Sequence, residues 1–185
     1  MFDKFRKPRP QVEVIPTRDG GATVSIGRGR SLSDRVTMRP NEVHAAIIRK
    51  DGTVEDLGIT SNLRTTAGLD WQSDVMGNAT QPVSARWIGL TANATAPAAG
   101  DTTLTGEITT GGLGRAASTY AHTAGVASYT ISNTFTASAT HTNVAKAGMF
   151  TAASSGTMAF TTMLSATATL ASGDTLAITW TINLT

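Results

Sequence analysis

Two segments of strict alternation constrain the fold of this chain most strongly. From residue 129 to 137 the odd positions hold mainly large apolar side chains and the even positions hold Ser and Thr. The C-terminal segment repeats the pattern, with apolar residues at every even position: Leu176, Ile178, Trp180, Ile182 and Leu184. A period of two places alternate side chains on opposite faces of a strand. Both segments are therefore predicted to be strands with one buried face.

Shorter patterns predict further strands and a hairpin. Strands are expected at residues 84–91, 113–122, 144–151 and 157–164, with polar turns at 152–156 and 171–174. Residues 44–49 and 54–57 flank Asp51-Gly52, which is a β-hairpin signal. Many short strands with polar turns favour an antiparallel sandwich or a small barrel.

One short helix is predicted at residues 65–76. Ala67, Trp71 and Val75 recur at helical spacing, with Thr65 or Thr66 as N-cap and Gly77 at the end. Trp71 is expected on the buried side. The predicted fold is all-β, mainly an antiparallel β-sandwich or small barrel, with this helix and an extended N-terminal arm.

Residues 1–40 differ from the rest and are predicted to form that arm. Pro8, Pro10, Pro16 and Pro40 oppose a regular helix, and the glycine-rich stretches add no packing groups. Residues 11–15 and 22–26 are strand-like pieces that need a pairing partner. A disordered basic tail is the alternative. Residues 41–185 are predicted to form one β domain, which is long enough for a single core.

The charge distribution indicates an interacting tail. Residues 1–50 contain eleven Lys or Arg against five Asp or Glu, whereas only five charged residues lie beyond residue 100: Asp101, Glu107, Arg115, Lys146 and Asp174. Such asymmetry is typical of a segment that binds a partner. The Thr, Ser and Ala that replace charge in the second half suit a surface buried against neighbouring subunits.

The basic arm contains the candidate partner-binding residues: Phe2, Lys4, Phe5, Arg6, Lys7, Arg9, Arg18, Arg28 and Arg30. In one interpretation the cations neutralise phosphates and the aromatic rings stack on bases. In the other, Phe2 and Phe5 are apolar anchors of a docking peptide whose cations meet acidic protein. Because the later cations are scattered, we favour docking on protein and do not expect nucleic acid as the partner.

Residues that could support catalysis are few. The chain has no cysteine, and His44, His122 and His141 lack metal-ligand spacing. Asp70 and Asp74 would share a helix face, which is more typical of a solvated surface than of an acid/base pair. We therefore expect no catalytic residues, no cofactor and no metal. No segment predicts a secretion signal or a membrane span, so a soluble protein made in the cytoplasm is expected.

Several segments, in order, resemble small virion proteins of tailed phages. Ser61-Asn-Leu-Arg-Thr-Thr-Ala-Gly-Leu-Asp-Trp71 is similar to their N-L-x-T-x-A-G-x-x-W/Y opening. Arg86-Trp-Ile-Gly-Leu-Thr, followed by Ala96-Pro-Ala-Ala-Gly-Asp-Thr-Thr-Leu-Thr-Gly-Glu-Ile108, resembles their strand, loop and D-T-x-L-x-x-E-I turn. Ala147-Gly-Met-Phe150, Ser155-Gly-Thr-Met158 and residues 173–182 resemble their closing strands. The resemblance covers residues 57–184 and excludes the arm.

The resemblance implies a non-enzymatic structural protein of a virion, assembled in the host cytoplasm. The leading hypothesis is a capsid decoration or cement protein whose arm docks on the major capsid protein and whose β domain forms a homo-oligomer, such as a trimer. A tail, baseplate or fibre-attachment subunit is the alternative, with a tail protein as partner. A carbohydrate-binding β-sandwich is the third hypothesis, since one fold serves many functions.

Overall fold

The computed structural model describes residues 12–16, 22–26, 31–32, 41–80 and 82–184. Its contacts divide into two units. The first contains β1 (Val12–Pro16), β2 (Ala22–Ile26) and β3 (Ser31–Leu32), which form an antiparallel sheet in the order β1-β2-β3. The two strand-like pieces of the arm therefore pair with each other. The nine candidate partner-binding residues of the arm lie outside the described residues.

The second unit consists of two five-stranded antiparallel sheets and one helix. We name them the front sheet, in the order β5-β4-β13-β10-β9, and the back sheet, in the order β6-β12-β11-β7-β8. Their elements are β4 (Glu42–Ile48), β5 (Val54–Ser61), β6 (Leu63–Arg64), α1 (Thr66–Gly77), β7 (Trp87–Thr91), β8 (Ala116–Ala117), β9 (Thr119–His122), β10 (Ser128–Thr136), β11 (His141–Phe150), β12 (Met158–Leu170) and β13 (Thr175–Asn183). The predicted all-β fold with one short helix is confirmed.

Both sheets bury their inner faces in one apolar core. In β13, Leu176, Ile178, Trp180 and Ile182 are buried and alternate with half-buried residues, as the sequence predicts. Ile131 and Phe135 of β10 lie in the same core, opposite buried residues of β7, β11 and β12. Leu184, the last apolar residue of the alternation, lies beyond the strand and is exposed. The hairpin prediction is also confirmed, because β4 pairs with β5 around Asp51-Gly52.

The chain passes directly from one sheet to the other at two corners. At Asn62 it leaves β5, an edge of the front sheet, and enters β6, an edge of the back sheet. At Ser118 it crosses between the opposite edges, from β8 to β9. The single strand predicted at residues 113–122 was therefore wrong. That segment contains a turn with the buried Leu113, then two short strands in different sheets.

The outer face of the back sheet is covered as well. Every residue from Val144 to Phe150 is buried, although only alternate residues can face the inner core. Phe150, Met158 and Leu104 form a second apolar cluster with Trp87. Leu104 belongs to the long connection between β7 and β8, so this connection packs against the outer face. Coverage of both faces explains the continuous apolar runs in β11 and β12.

Helix α1 also packs against the back sheet. Thr65 is its N-cap, and Gly68 is its one buried residue. A Cβ on Gly68 would lie 2.0 Å from the Ala159 carbonyl oxygen, so glycine allows the helix to approach β12 closely. Trp71 is half-buried and packs on the core, as predicted. The helix ends at Gly77, and Asn78 is its C-cap.

Candidate functional site

The three histidines lie in separate places. His44 Nε2 is 2.8 Å from Asp56 Oδ1 on the exposed face of the front sheet. His122 Nδ1 is 2.9 Å from the Ser128 carbonyl oxygen, and His141 Nε2 is 3.0 Å from that of Gly111. Across the described ranges, no group of three or more His, Cys, Asp or Glu residues is placed to bind a metal ion. The histidines form no common site.

Asp70 and Asp74 are exposed on helix α1. They line a shallow depression of about 360 Å³ together with Trp71, Pro82 and Thr151. No histidine lines this depression. The two carboxylates therefore match the solvated helix face that the sequence predicts.

A partly buried ion pair lies on the outer side of the back sheet. The Arg115 side chain donates to Glu107 Oε1 over 2.7 Å through its Nε, and a second bond joins Nη2 to Oε2. The guanidinium carbon lies 3.5 Å from the centre of the Phe150 ring. Arg115 also donates to the carbonyl oxygens of Ala152 and Ser155. With all these partners in place, the pair fixes two loops over the sheet.

An aromatic groove opens at the edge of the sandwich beside β9. Its volume is about 430 Å³, and its residues come from α1, the segment before β7, and strands β9 and β10: Trp71, Val75, Pro82, Ser84, Ala85, Arg86, Tyr120, Tyr129 and Ile131. The Tyr120 and Tyr129 rings are 5.5 Å apart and tilted by 47°. Trp71 Nε1 donates to the Val83 carbonyl oxygen over 2.9 Å, which joins the helix to the next segment.

The groove is apolar with one cation at its margin. Burial raises the pKa of the Tyr129 hydroxyl, and the neighbouring Tyr120 raises it further. The Tyr129 phenol is therefore neutral at physiological pH, since an unperturbed tyrosine titrates near pH 10. Arg86 lines the groove and is exposed. These groups can bind an apolar or amphipathic surface, but they include no nucleophile paired with a base.

Strand β9 borders this groove and is the outermost strand of the front sheet. All four of its residues, Thr119–His122, are exposed. Tyr120 is a large side chain of this strand, and 56% of its full accessible area is exposed. We call β9 together with the aromatic groove the β9 surface. It combines an open strand edge with exposed apolar area, a combination that marks interaction sites.

The opposite edge of the same sheet is different in character. Strand β5 contains Glu55 and Asp56, which pair with Arg49 and His44 of the neighbouring strand and turn. A bulge at Leu57 of β5, opposite Ala45 and Ala46, also interrupts its pairing with β4. Charges and bulges are the usual devices that keep an edge strand from pairing with another chain. The front sheet therefore has one guarded edge and one open edge.

Sequence reasoning identified Trp71 and Tyr129 only as core residues and did not consider Tyr120. Most aromatic residues do occupy apolar strand positions, but Trp71, Tyr120 and Tyr129 meet at the groove. A signal was present in the sequence, because no Asp, Glu, Lys or Arg occurs between Arg115 and Lys146. The edge position of residues 119–122 depends on the corner at Ser118, which the pattern does not reveal.

Helix α1 is the one helix in the described part of the chain, and it is not long and apolar enough to cross a membrane. No family model, curated protein or solved structure matches this chain.

Proposed function

We propose that this chain is a non-enzymatic structural subunit that acts by assembly, as a capsid decoration protein of a tailed phage. The observation that carries the assembly role is the β9 surface, where a strand edge without Asp, Glu, Lys or Arg lies open beside an aromatic groove. An edge of this kind in a soluble protein is normally guarded or covered by a partner. The residues that line the groove are suited to binding a partner surface rather than to catalysis.

Support for a virion comes from the ordered resemblance of residues 57–184 to small virion proteins of tailed phages. Support for a docking arm comes from charge. Residues 1–40 contain nine Lys or Arg against four Asp or Glu, whereas the remainder contains six against nine. A basic arm on an acidic domain can direct the two parts of the chain to different partners. In this proposal the arm binds the major capsid protein and the β domain contacts sister copies.

Electron microscopy of intact particles tests the location. Antibody labelling of the phage that encodes the chain should decorate the head shell at hundreds of copies. A handful of copies at the tail would replace the capsid assignment with a baseplate or fibre-attachment role. Unlabelled heads and tails would overturn the virion proposal.

A deletion of residues 1–40 tests the arm. We expect the shortened chain to retain its β-sheet circular dichroism and to be lost from the particles. Retention at full occupancy would contradict docking through the arm.

Duplex DNA binding across a salt series tests the nucleic-acid alternative. A docking arm should show weak binding to DNA. Affinity that falls steeply with salt would instead indicate phosphate contacts, because each neutralised phosphate releases counterions.

A further inference from the structure

We infer that β9 pairs with β9 of a second copy of this chain, so that the two front sheets join across a two-fold axis. The inference rests on the proposed assembly function and names the surface through which copies meet. Sheet order, burial and charge each support it.

The first support is the geometry of the edge. Strand β10 pairs with one side of β9 from Thr119 to His122, and no strand among the described residues pairs with the other side. Backbone N–H and C=O groups on that side are free to accept another strand. Antiparallel pairing of β9 with its own copy satisfies the two-fold symmetry that most dimers have.

The second support is the position of the groove. Tyr120 is paired in register with Ile131, whose side chain lies in the core, so Tyr120 faces the inner side of the front sheet. A strand added beside β9 continues that inner side over the groove, because alternate side chains of all strands share a face. The added strand therefore places its own side chains beside Tyr120, at the open side of the groove. An edge and an apolar cleft then become buried together.

The third support is charge, which favours a second copy over a foreign partner. Two-fold pairing places two copies of the same short strand side by side, so charges of one sign on that strand would repel each other. Strand β9 contains His122 but no Asp, Glu, Lys or Arg. Strands β8 and β10 also contain no Asp, Glu, Lys or Arg. On β5, by contrast, Glu55 and Asp56 would face like charges in such a pair.

Sedimentation velocity of the full chain over a range of concentrations tests the inference with two matched variants. Tyr120 and Ile59 are large apolar residues on the open and guarded edges of the front sheet, with exposures of 56% and 61%. We expect Tyr120→Lys to weaken self-association by about tenfold or more, because it replaces an apolar side chain of the groove with a cation that lies close to the same cation of the second copy. Ile59→Lys should leave the association unchanged.

A cross-linking measurement keeps the test independent of the Lys variants' folding. The chain has no cysteine, so Ala121→Cys and Val54→Cys each introduce a single thiol at an exposed position of one edge. Paired residues of adjacent strands lie within the Cα separation that a disulfide spans. Ala121→Cys should therefore form a covalent dimer on mild oxidation, and Val54→Cys should not.

Three outcomes would overturn the inference. They are a full chain that stays monomeric at all concentrations, equal effects of the two Lys variants, and equal cross-linking at the two edges. Saturable binding of an oligosaccharide by a monomeric chain, abolished by Tyr120→Lys, would assign the groove to a glycan instead. If the chain labels phage heads but Tyr120→Lys leaves its mass unchanged, the interface is wrong while the capsid proposal stands.

Discussion

Gly68 determines how closely helix α1 packs on the back sheet. The nearest atom to a Cβ at this position would be the Ala159 carbonyl oxygen, at 2.0 Å, and this oxygen also accepts the backbone N–H of Thr65. The three atoms that such a Cβ would meet all belong to the backbone of Ala159, so no flexible side chain can move aside. The helix must shift if the residue gains a methyl group.

We expect Gly68→Ala to lower the free energy of unfolding by about 2 kcal/mol, as overpacking in a close contact does. Gly77→Ala is the matched control, because a Cβ on Gly77 would have no atom within 4 Å. That control should be neutral or stabilising by about 0.5 kcal/mol through better helix propensity. Urea unfolding of both variants measures the difference, and equal stabilities would show that the helix tolerates the larger residue.

Asp174 joins the turn before β13 to the turn after β4. Its carboxylate accepts from the backbone N–H of Ala171 at 3.0 Å, from Lys50 N–H at 3.0 Å and from Arg49 Nη1 at 2.9 Å. The Ala171 N–H is the largest cause that lowers the pKa of this carboxyl, and the Arg49 guanidinium is the next. These bonds stabilise the ionised Asp174 carboxylate in the folded state.

A pKa that is lower in the folded state contributes stability above the unfolded value, near 3.9, and loses it as the pH falls through the folded value. We expect the free energy of unfolding to decrease between pH 5 and pH 3. Asp174→Asn should lower stability at pH 7 and flatten this decrease. Asp70→Asn, on the exposed helix face, is the control for loss of one charge. Parallel pH curves for wild type and Asp174→Asn would contradict the assignment.

At the scale of single elements, the start of helix α1 depends on Thr65. Its Oγ1 accepts from the Gly68 N–H over 2.9 Å, and its hydroxyl donates to the Met158 carbonyl oxygen. The side chain is fully buried, whereas Thr66 is exposed. The sequence pattern allowed either threonine as the N-cap. The hydrogen bond from the Gly68 N–H identifies Thr65 as the N-cap.

Thr65→Ala should cost about 1–2 kcal/mol, because it removes an N-cap and leaves a buried carbonyl without its hydroxyl donor. Thr65→Ser retains the hydroxyl and should recover most of the stability. Thr66→Ala should have little effect. Thermal unfolding followed by circular dichroism compares the three variants, and an equal loss in both alanine variants would exclude a specific cap.

The same elements show what sequence patterns can predict. Strands β10 and β13 each have one buried and one polar face, so alternation identified them. Strand β11 from Val144 onward and the first half of β12 are buried on both faces, because the connection around Leu104 covers the outer face. Their patterns gave starts and ends that differ from the structure by up to six residues, since Ser165, Ala166 and Thr167 interrupt the apolar run of β12.

Short strands at the corners were beyond such reasoning. Strand β9 has no buried residue, so neither alternation nor hydrophobicity marks it. Its function as an edge follows from a change of sheet at one residue, Ser118, which is a property of the tertiary structure. The candidate site was therefore visible in the sequence only as a missing set of charges. Tyr120 and Trp71 are 49 positions apart in that sequence, and the fold brings them to one groove.

At the scale of the whole molecule, the difference between the two edges of the front sheet leads us to expect that the unfolding midpoint depends on protein concentration. A subunit that pairs through β9 in the folded state alone is stabilised by mass action. The unfolding midpoint of the full chain should therefore rise as the protein concentration increases. The guarded edge at β5 contributes no such dependence, because its charges and bulge oppose pairing.

Differential scanning calorimetry from about 5 to 500 μM measures this dependence. For a chain that is dimeric throughout, this hundredfold rise in concentration stabilises the folded dimer against unfolding by RT ln 100, which is about 2.7 kcal/mol per mole of dimer. We expect a rise of several degrees for wild type and for Ile59→Lys. Tyr120→Lys should show a midpoint that hardly changes over the same range, although its value at low concentration should approach that of wild type. Concentration-independent midpoints for all three proteins would mean that the folded chain does not associate through either edge. In that case the open edge and the groove would need a partner other than the chain itself.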